Sequence, residues 1–186
     1  TSDTGPFGAL KDMRIAAGNL FIGRFNATVA LTPGQTMKAT MFGLKYTTAK
    51  KPIKFTGYYK YKPGETYQDK KGKPVEGKTD TGDIYAVLYR NTDDQGNAVV
   101  LYGDNVLTSP QIVAIARIDK VENTDNWTEF DLDFNYLTDI DQTLLDNYGY
   151  NMAVVFTSSI GGADFEGAIG STMMIDKVRI ICETTE

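Results

Sequence analysis

The sequence predicts an all-β fold, a two-sheet antiparallel sandwich, in one domain spanning residues 1–186. Three observations carry that prediction. Eleven tyrosines and nine phenylalanines give the chain a strand-forming composition. Apolar residues recur with period two in about ten short runs, each closed by Gly, Pro, Asn or Asp. No helical segments alternate with the strands, and no repeat of about 40 to 50 residues suggests a propeller.

Residues 1–14 are polar, with a short turn of helix expected at 9–13. Strand signal starts at Ile15. Over 20–31 the alternation breaks at Gly23, which reads as a strand, a bend and a second strand ending in the Thr32-Pro33-Gly34 turn. Residues 37–46 form the next expected strand. In 53–62 the odd positions Ile53, Phe55, Tyr59 and Tyr61 belong inside, and the even positions Lys54, Thr56, Tyr58, Lys60 and Lys62 belong in water. The polar segment 63–82 is a loop of the length associated with function or mobility. Strand returns at 83–91, and the turn 93–97 hands it to 98–102 as a hairpin.

Two long strands are expected at 113–121 and 127–137. In the second, Phe130, Leu132, Phe134 and Tyr136 share one face, and Glu129, Asp131, Asp133 and Asn135 share the other, as in an antiparallel sheet with one wet side. Residues 138–148 hold a short helix that Asp139 is placed to cap, leading to Leu144 and Leu145. The almost continuous apolar run 152–157 reads as a central strand, paired with the last strand of the chain. In that last strand Met173 and Ile175 alternate, then the parity slips so that Val178 and Ile180 continue it. Such a slip marks a β-bulge, with Asp176 and Lys177 at the kink.

Composition removes several function classes. A net charge of −5 gives no general attraction for phosphate backbones, so nucleic acid is not an expected partner. The absence of histidine excludes the Ser-His-Asp and Cys-His constellations. Cys182 is the single cysteine and reads as a small buried residue. The glycines of GGADFEGAIG lead into a strand, whereas a phosphate-cradling loop opens a helix. No run approaches the roughly 20 apolar residues of a membrane span. The chain opens on the polar TSDTG and reads as the C-terminal part of a longer protein.

Carboxylates and aromatics remain. Glycoside hydrolysis requires only two acids across a bond, and the row Glu129, Asp131, Asp133, or Glu166 in the glycine-rich segment, offers acids. A row on a wet strand face is ordinarily hydrated surface. A saccharide platform needs rigid aromatics whose faces stack on sugar C–H groups, beside charged or amide side chains that meet the hydroxyls. Tyr58 with Lys60, Tyr85 with Tyr89, and Trp127 beside Asp131 meet that description wherever their faces are exposed. At the second pair, Ile84, Ala86 and Leu88 compete with the tyrosines for the inside.

The terminal SSIGGADFEGAIGSTMMIDKV resembles the signature of the putative carbohydrate metabolism domain, a family of Bacteroidetes surface-associated proteins whose members tend to read SS..G..F.GA.GS.L.VD.V. AAGNLFIGRF at 16–25, FTGYYKYKPGE at 55–65 and DIYAVLY at 83–89 match the same family's habits. The resemblance implies a jelly-roll-like sandwich, a cell-surface or secreted location and a polysaccharide or oligosaccharide partner. It brings no established catalytic mechanism. The expected function is a non-catalytic carbohydrate-binding domain of a glycan-utilisation protein, with a glycoside hydrolase using paired carboxylates, or a structural and adhesive module, as alternatives. No cofactor is expected. By analogy with jelly-roll glycan-binding domains, which often hold a structural calcium near the ends of the sandwich, Asp176 is the residue nominated for such an ion.

Overall fold

The computed structural model describes residues 1–30, 32 and 34–184. Its two principal sheets are built from β1 (Asn19–Phe21), β2 (Leu44–Lys45), β3 (Pro52–Lys62), β4 (Asp83–Arg90), β5 (Ile112–Arg117), β6 (Thr124–Asp133), β7 (Asn135–Tyr136), β8 (Tyr150–Thr157) and β9 (Thr172–Cys182). The larger sheet has the order β7-β5-β4-β8-β1, with β2 also paired to β8; the smaller has the order β6-β3-β9. Every pairing in both sheets is antiparallel. The expected all-β sandwich is therefore the observed fold.

The main core lies between the sheets. Phe55, Tyr59 and Tyr61 of β3 meet Ile84, Ala86 and Leu88 of β4 and Tyr150, Met152, Val154 and Phe156 of β8. Phe55, Phe130 and Phe156 form its aromatic centre, with ring centroids 5.0, 5.9 and 6.3 Å apart. Gly57 makes room for it: a Cβ there would stand 2.6 Å from Phe130 Cζ. The odd-in, even-out parity expected for β3 holds from Phe55 onward, with Phe55, Gly57, Tyr59 and Tyr61 all buried, but fails at the start of the strand, where Pro52 is buried and Ile53, expected inside, is 40% exposed.

A second core covers the opposite face of the larger sheet. Tyr85, Val87 and Tyr89 of β4 and Ala153 and Val155 of β8 pack there under Leu101 and Val106, with Phe21 and Phe42 against them. A sheet covered on both faces needs apolar residues at successive positions, which is why β4 and β8 lack alternation.

Several expected elements shift. β8 is central but pairs with β4, not with the last strand, which belongs to the other sheet. The expected strand 127–137 divides at Phe134: β6 joins β3, whereas β7 crosses to pair with β5. The predicted continuation of 20–31 stops at Phe25. The helix Ala27–Ala30 follows, where Asn26 Oδ1 accepts from the amides of Thr28 and Val29. Leu31 and Pro33 of the expected turn lie outside the described residues. The segment 37–46 is broken into Thr36–Lys38, Thr40–Phe42 and β2, with Gly43 at φ 93. The first helix is Gly5–Leu10, earlier than expected. The helix Gln142–Asp146 is capped by Asp141, whose Oδ1 accepts from Leu144 N at 3.1 Å, and not by Asp139. The hairpin after β4 survives as the bridge of Thr92 with Ala98, whereas Leu101 bridges to Phe42 of the Thr40–Phe42 strand.

The β-bulge is where the parity slip places it. β9 loses register against β3 between Asp176 and Arg179, and Lys177 adopts φ 50. Ile180 returns to the core side, whereas Val178 stays 39% exposed.

Candidate functional site

The outer face of the smaller sheet is wet, and the strand parities decide what it displays. From β3 it presents Lys54, Thr56, Tyr58, Lys60 and Lys62; from β6, Glu129, Asp131 and Asp133; from β9, Met174 and Asp176. The antiparallel register sets Tyr58 between Glu129 and Asp176. Its hydroxyl donates to Glu129 Oε1 at 3.4 Å.

Trp127 shares the parity of Glu129 and Asp131 and stands on the same face, next to an irregularity in β6. Thr124 pairs with Tyr61 and Thr128 with Tyr59, so residues 125–127 stand opposite Lys60 alone. Thr128 Oγ1 contacts Thr124 Oγ1 at 3.2 Å and Asn126 O at 3.2 Å, pinning the bulged backbone. Trp127 is left 47% exposed, with the Lys60 ammonium 5.2 Å from its ring centroid. The bulge in β9 brings the Lys177 ammonium to 5.7 Å from the Tyr58 ring. Trp127 and Tyr58 thus each have a cation near the ring, and the β9 bulge is what brings Lys177 to Tyr58.

Lys54 Nζ contacts Asp131 at 2.6 Å and Asp133 at 3.3 Å. The two carboxylates hold its ammonium above the ordinary lysine range, Asp131 through its hydrogen bond first. Of the residues nominated from sequence, Tyr58, Lys60, Trp127 and Asp131 share this one face. Tyr85 and Tyr89 do not. They are 6% and 1% exposed in the second core, because the segment after β4 and the N-terminal segment cover that side of the sheet. The Tyr89 hydroxyl donates to Phe42 O at 2.7 Å. Sequence reading missed Met174 and Lys177 as neighbours of Tyr58 and Lys60, since only the register of β9 brings them there.

The first part of the signature segment, 158–171, serves a different purpose. Asp80, 4% exposed, accepts at Oδ2 from Ser159 Oγ (2.5 Å), Ser171 Oγ (2.7 Å) and Ala168 N (2.8 Å), and at Oδ1 from Thr81 N (2.9 Å). It clasps the end of the long loop to the glycine-rich connection. Gly167 is required by close approach, since a Cβ there would lie 2.7 Å from Ser159 Oγ. The pair Tyr67–Gln68 with Gly167–Ala168 ties down the loop's other end. The 63–82 segment is therefore anchored structure.

Glu166 borders a cleft of about 710 Å3 that Asp12, Asp164, Lys11 and Lys70 also line. Its Oε2 accepts from the Tyr67 hydroxyl and from Lys78 Nζ, both at 3.3 Å. The acids Asp12 and Asp164, distant or unremarkable in sequence, thus share a cleft with it. Among the described residues no group of three or more His, Cys, Asp or Glu is placed to hold a metal ion. Asp176, nominated for calcium, accepts the Lys177 amide at 2.8 Å. No helix among the described residues is long and apolar enough to cross a membrane.

The sequence profile of the putative carbohydrate metabolism domain (PCMD) matches residues 1–181. The chain belongs to the PCMD family. Two solved structures share the PCMD architecture closely. One is described as a putative glycoside hydrolase from Bacteroides thetaiotaomicron, 46% identical with a TM-score of 0.90, and the match covers 99% of this chain and 52% of that one. The other is described as a putative glycoside hydrolase from Bacteroides vulgatus, 39% identical with a TM-score of 0.86, covering 98% of this chain and 70% of that one. This PCMD chain therefore spans about half the length of the first. No curated protein matches it at a significant level. PCMD membership points to a carbohydrate-related role, and the signature divides between two places: Ser159, Ala168 and Ser171 join the Asp80 clasp, whereas Asp176 lies on the wet face.

Proposed function

We propose that the chain is a non-catalytic saccharide-binding domain of a surface or secreted protein, and that the outer face of the β6-β3-β9 sheet is its platform. The observation that carries this reading is the grouping of Tyr58, Trp127 and Lys60 on one open face, with Asp131, Glu129 and Asp176 beside them. Rings of this kind stack on sugars, and the flanking charges meet hydroxyls. Tyr58 and Lys60 lie about 7 Å apart on the strand, within reach of one pyranose.

Tyr58→Ala is expected to cost about 0.5 to 3 kcal/mol of binding, up to roughly a hundredfold in affinity, with the melting temperature unchanged. Tyr59→Ala removes a ring that is 3% exposed and whose hydroxyl accepts the Glu122 amide at 3.2 Å. It should lower the melting temperature and leave ligand selectivity alone. Isothermal titration and thermal melts of both variants check this; a binding loss confined to Tyr59→Ala would sink the platform.

Of the face's cations only Lys54 is ion-paired among the described residues; Lys60 and Lys177 lie over rings, and Lys62 has uncharged Thr172 opposite. Saccharides bearing carboxylate or sulfate should therefore be preferred, with affinity falling as salt rises. Retention on polygalacturonate compared with neutral dextran, from about 50 mM to about 500 mM salt, over which the screening length shrinks roughly threefold, tests this. Equal retention on both refutes the preference without touching the platform.

A second reading, hydrolysis, is favoured by the Glu166 cleft with Asp12 and Asp164 on its walls and by the description of both solved relatives as putative glycoside hydrolases. Under the leading reading no reducing sugar is released from common plant or host polysaccharides. Release that disappears in Glu166→Gln would assign catalysis to the cleft.

A further inference from the structure

The bulge in β9 puts a lysine where glycine is the unstrained choice. Asp176 pairs with Tyr58 and Arg179 with Thr56, so Lys177 and Val178 stand opposite Gly57 alone. Lys177 takes φ 50, a left-handed conformation that is costly for a residue with a Cβ and that one class of bulge reserves for glycine. Asp12, Tyr148 and Phe165 share that conformation at turns and helix ends. Of these four described residues, Lys177 alone lies within a strand. The backbone is held there on two sides. The Asp176 carboxylate accepts the Lys177 amide at 2.8 Å, and a Cβ on Gly57 would stand 3.2 Å from Asp176 O. Strain retained on the open face that carries Tyr58 and Trp127 calls for a use of the side chain that bears it.

That side chain reaches the platform. Its ammonium lies 5.7 Å from the centroid of the half-buried Tyr58 ring. The other cations of the face are committed elsewhere or lie further along it: Lys54 pairs with Asp131 and Asp133, Lys60 lies over Trp127, and Lys62 stands opposite Thr172. We infer that Lys177 is the residue that sets the specificity of the saccharide platform, selecting pyranoses that carry an exocyclic anion, carboxylate or sulfate, an inference that rests on the platform reading and adds to it the group that reads charge. The selection works in two directions. An anionic group on a ring stacked over Tyr58 takes up the ammonium, exchanging a weak cation–π contact for a charge-assisted hydrogen bond. A neutral sugar offers no such exchange and competes with the ammonium for the ring face.

Isothermal titration with trigalacturonate and with its methyl ester, which carries the same rings without the charge, reads the selection. The wild type should bind the acid about three- to tenfold more tightly than the ester. In Lys177→Gln and Lys177→Gly that ratio should fall to about one. Lys45→Gln, which removes the same charge from β2 in the other sheet, should keep the wild-type ratio. Lys177→Gly should also melt about 2 to 4 °C above Lys177→Gln, because both lose the ammonium and only glycine relieves the left-handed backbone. Competition by dextran sulfate that disappears in Lys177→Gln would show that sulfate is read by the same residue. A preference for the acid that survives in both Lys177 variants overturns the proposal. So does a wild-type ratio of one without Lys177-dependent competition by dextran sulfate, or a glycine variant that melts no higher than the glutamine variant. Trigalacturonate affinity untouched by Tyr58→Ala would instead remove the platform itself, which tells the two failures apart.

Discussion

Replacing Val154 and Phe156 together by aspartate is expected to abolish folding. Both lie on β8, which the register places between β4 on one side and β1 with β2 on the other. They are 5% and 6% exposed. Losing their apolar burial removes about 1.5 to 3 kcal/mol each, and each unpaired carboxylate left in the core adds several kcal/mol more. The sum reaches the roughly 5 to 15 kcal/mol that stabilises an ordinary domain. Phe156 also anchors the aromatic centre with Phe55 and Phe130, so no small rearrangement can expel the charge to water. Circular dichroism and a urea titration give the readout. A soluble variant that still unfolds cooperatively would show that the core is not where these residues sit.

Asp80→Ala should be the most damaging change at a single polar residue. It strands the hydroxyls of Ser159 and Ser171 and the amides of Thr81 and Ala168 without their acceptor. Removing one partner from a buried charge-assisted network costs roughly 3 to 5 kcal/mol, which in a domain of this size lowers the melting temperature by about 6 to 20 °C. Asp80→Asn keeps one acceptor oxygen but turns an amide toward donors, so its loss should be intermediate. Differential scanning calorimetry should rank wild type above Asn above Ala. An alanine variant melting with wild type would mean that the clasp contributes nothing. Saccharide affinity, measured at a temperature where all three are folded, should be the same, because the clasp and the outer face share no residue.

The bland and the sharp readings of the aromatics separate along a physical line. Tyr58 and Trp127 sit in segments where polar residues alternate with apolar ones, and alternation states in advance that one side meets water. Tyr85 and Tyr89 sit in DIYAVLY, where both parities are apolar or aromatic, and a strand of that kind is covered on both faces. Its lack of a polar side was the available signal that these tyrosines were not a platform. The meeting of Glu166 with Asp12 had no signal in sequence, because Asp12 is far along the chain and only the folding of the N-terminal segment onto the glycine-rich connection brings them to one cleft. Asp80 had no signal at all: it is one acid in a polar loop, and its importance comes from three donors of the glycine-rich connection, Ser159, Ala168 and Ser171, converging on it from about 80 to 90 residues further along the chain.

What the sequence determined by itself was local and periodic. The all-β class, the inward parity of Phe55, Tyr59 and Tyr61, the wet row Glu129, Asp131, Asp133 and the bulge at Asp176 and Lys177 all follow from side chains alternating along one strand. Only the tertiary structure decided which strand lies beside which: that β8 pairs with β4, that the 127–137 run leaves one sheet for the other at Phe134, and that Lys177 and Met174 arrive next to Tyr58 and Lys60. Alternation specifies which way a residue points relative to its own strand. What it points at is set by packing between segments far apart in the chain, where many arrangements satisfy the same pattern and the best burial of the whole core selects one.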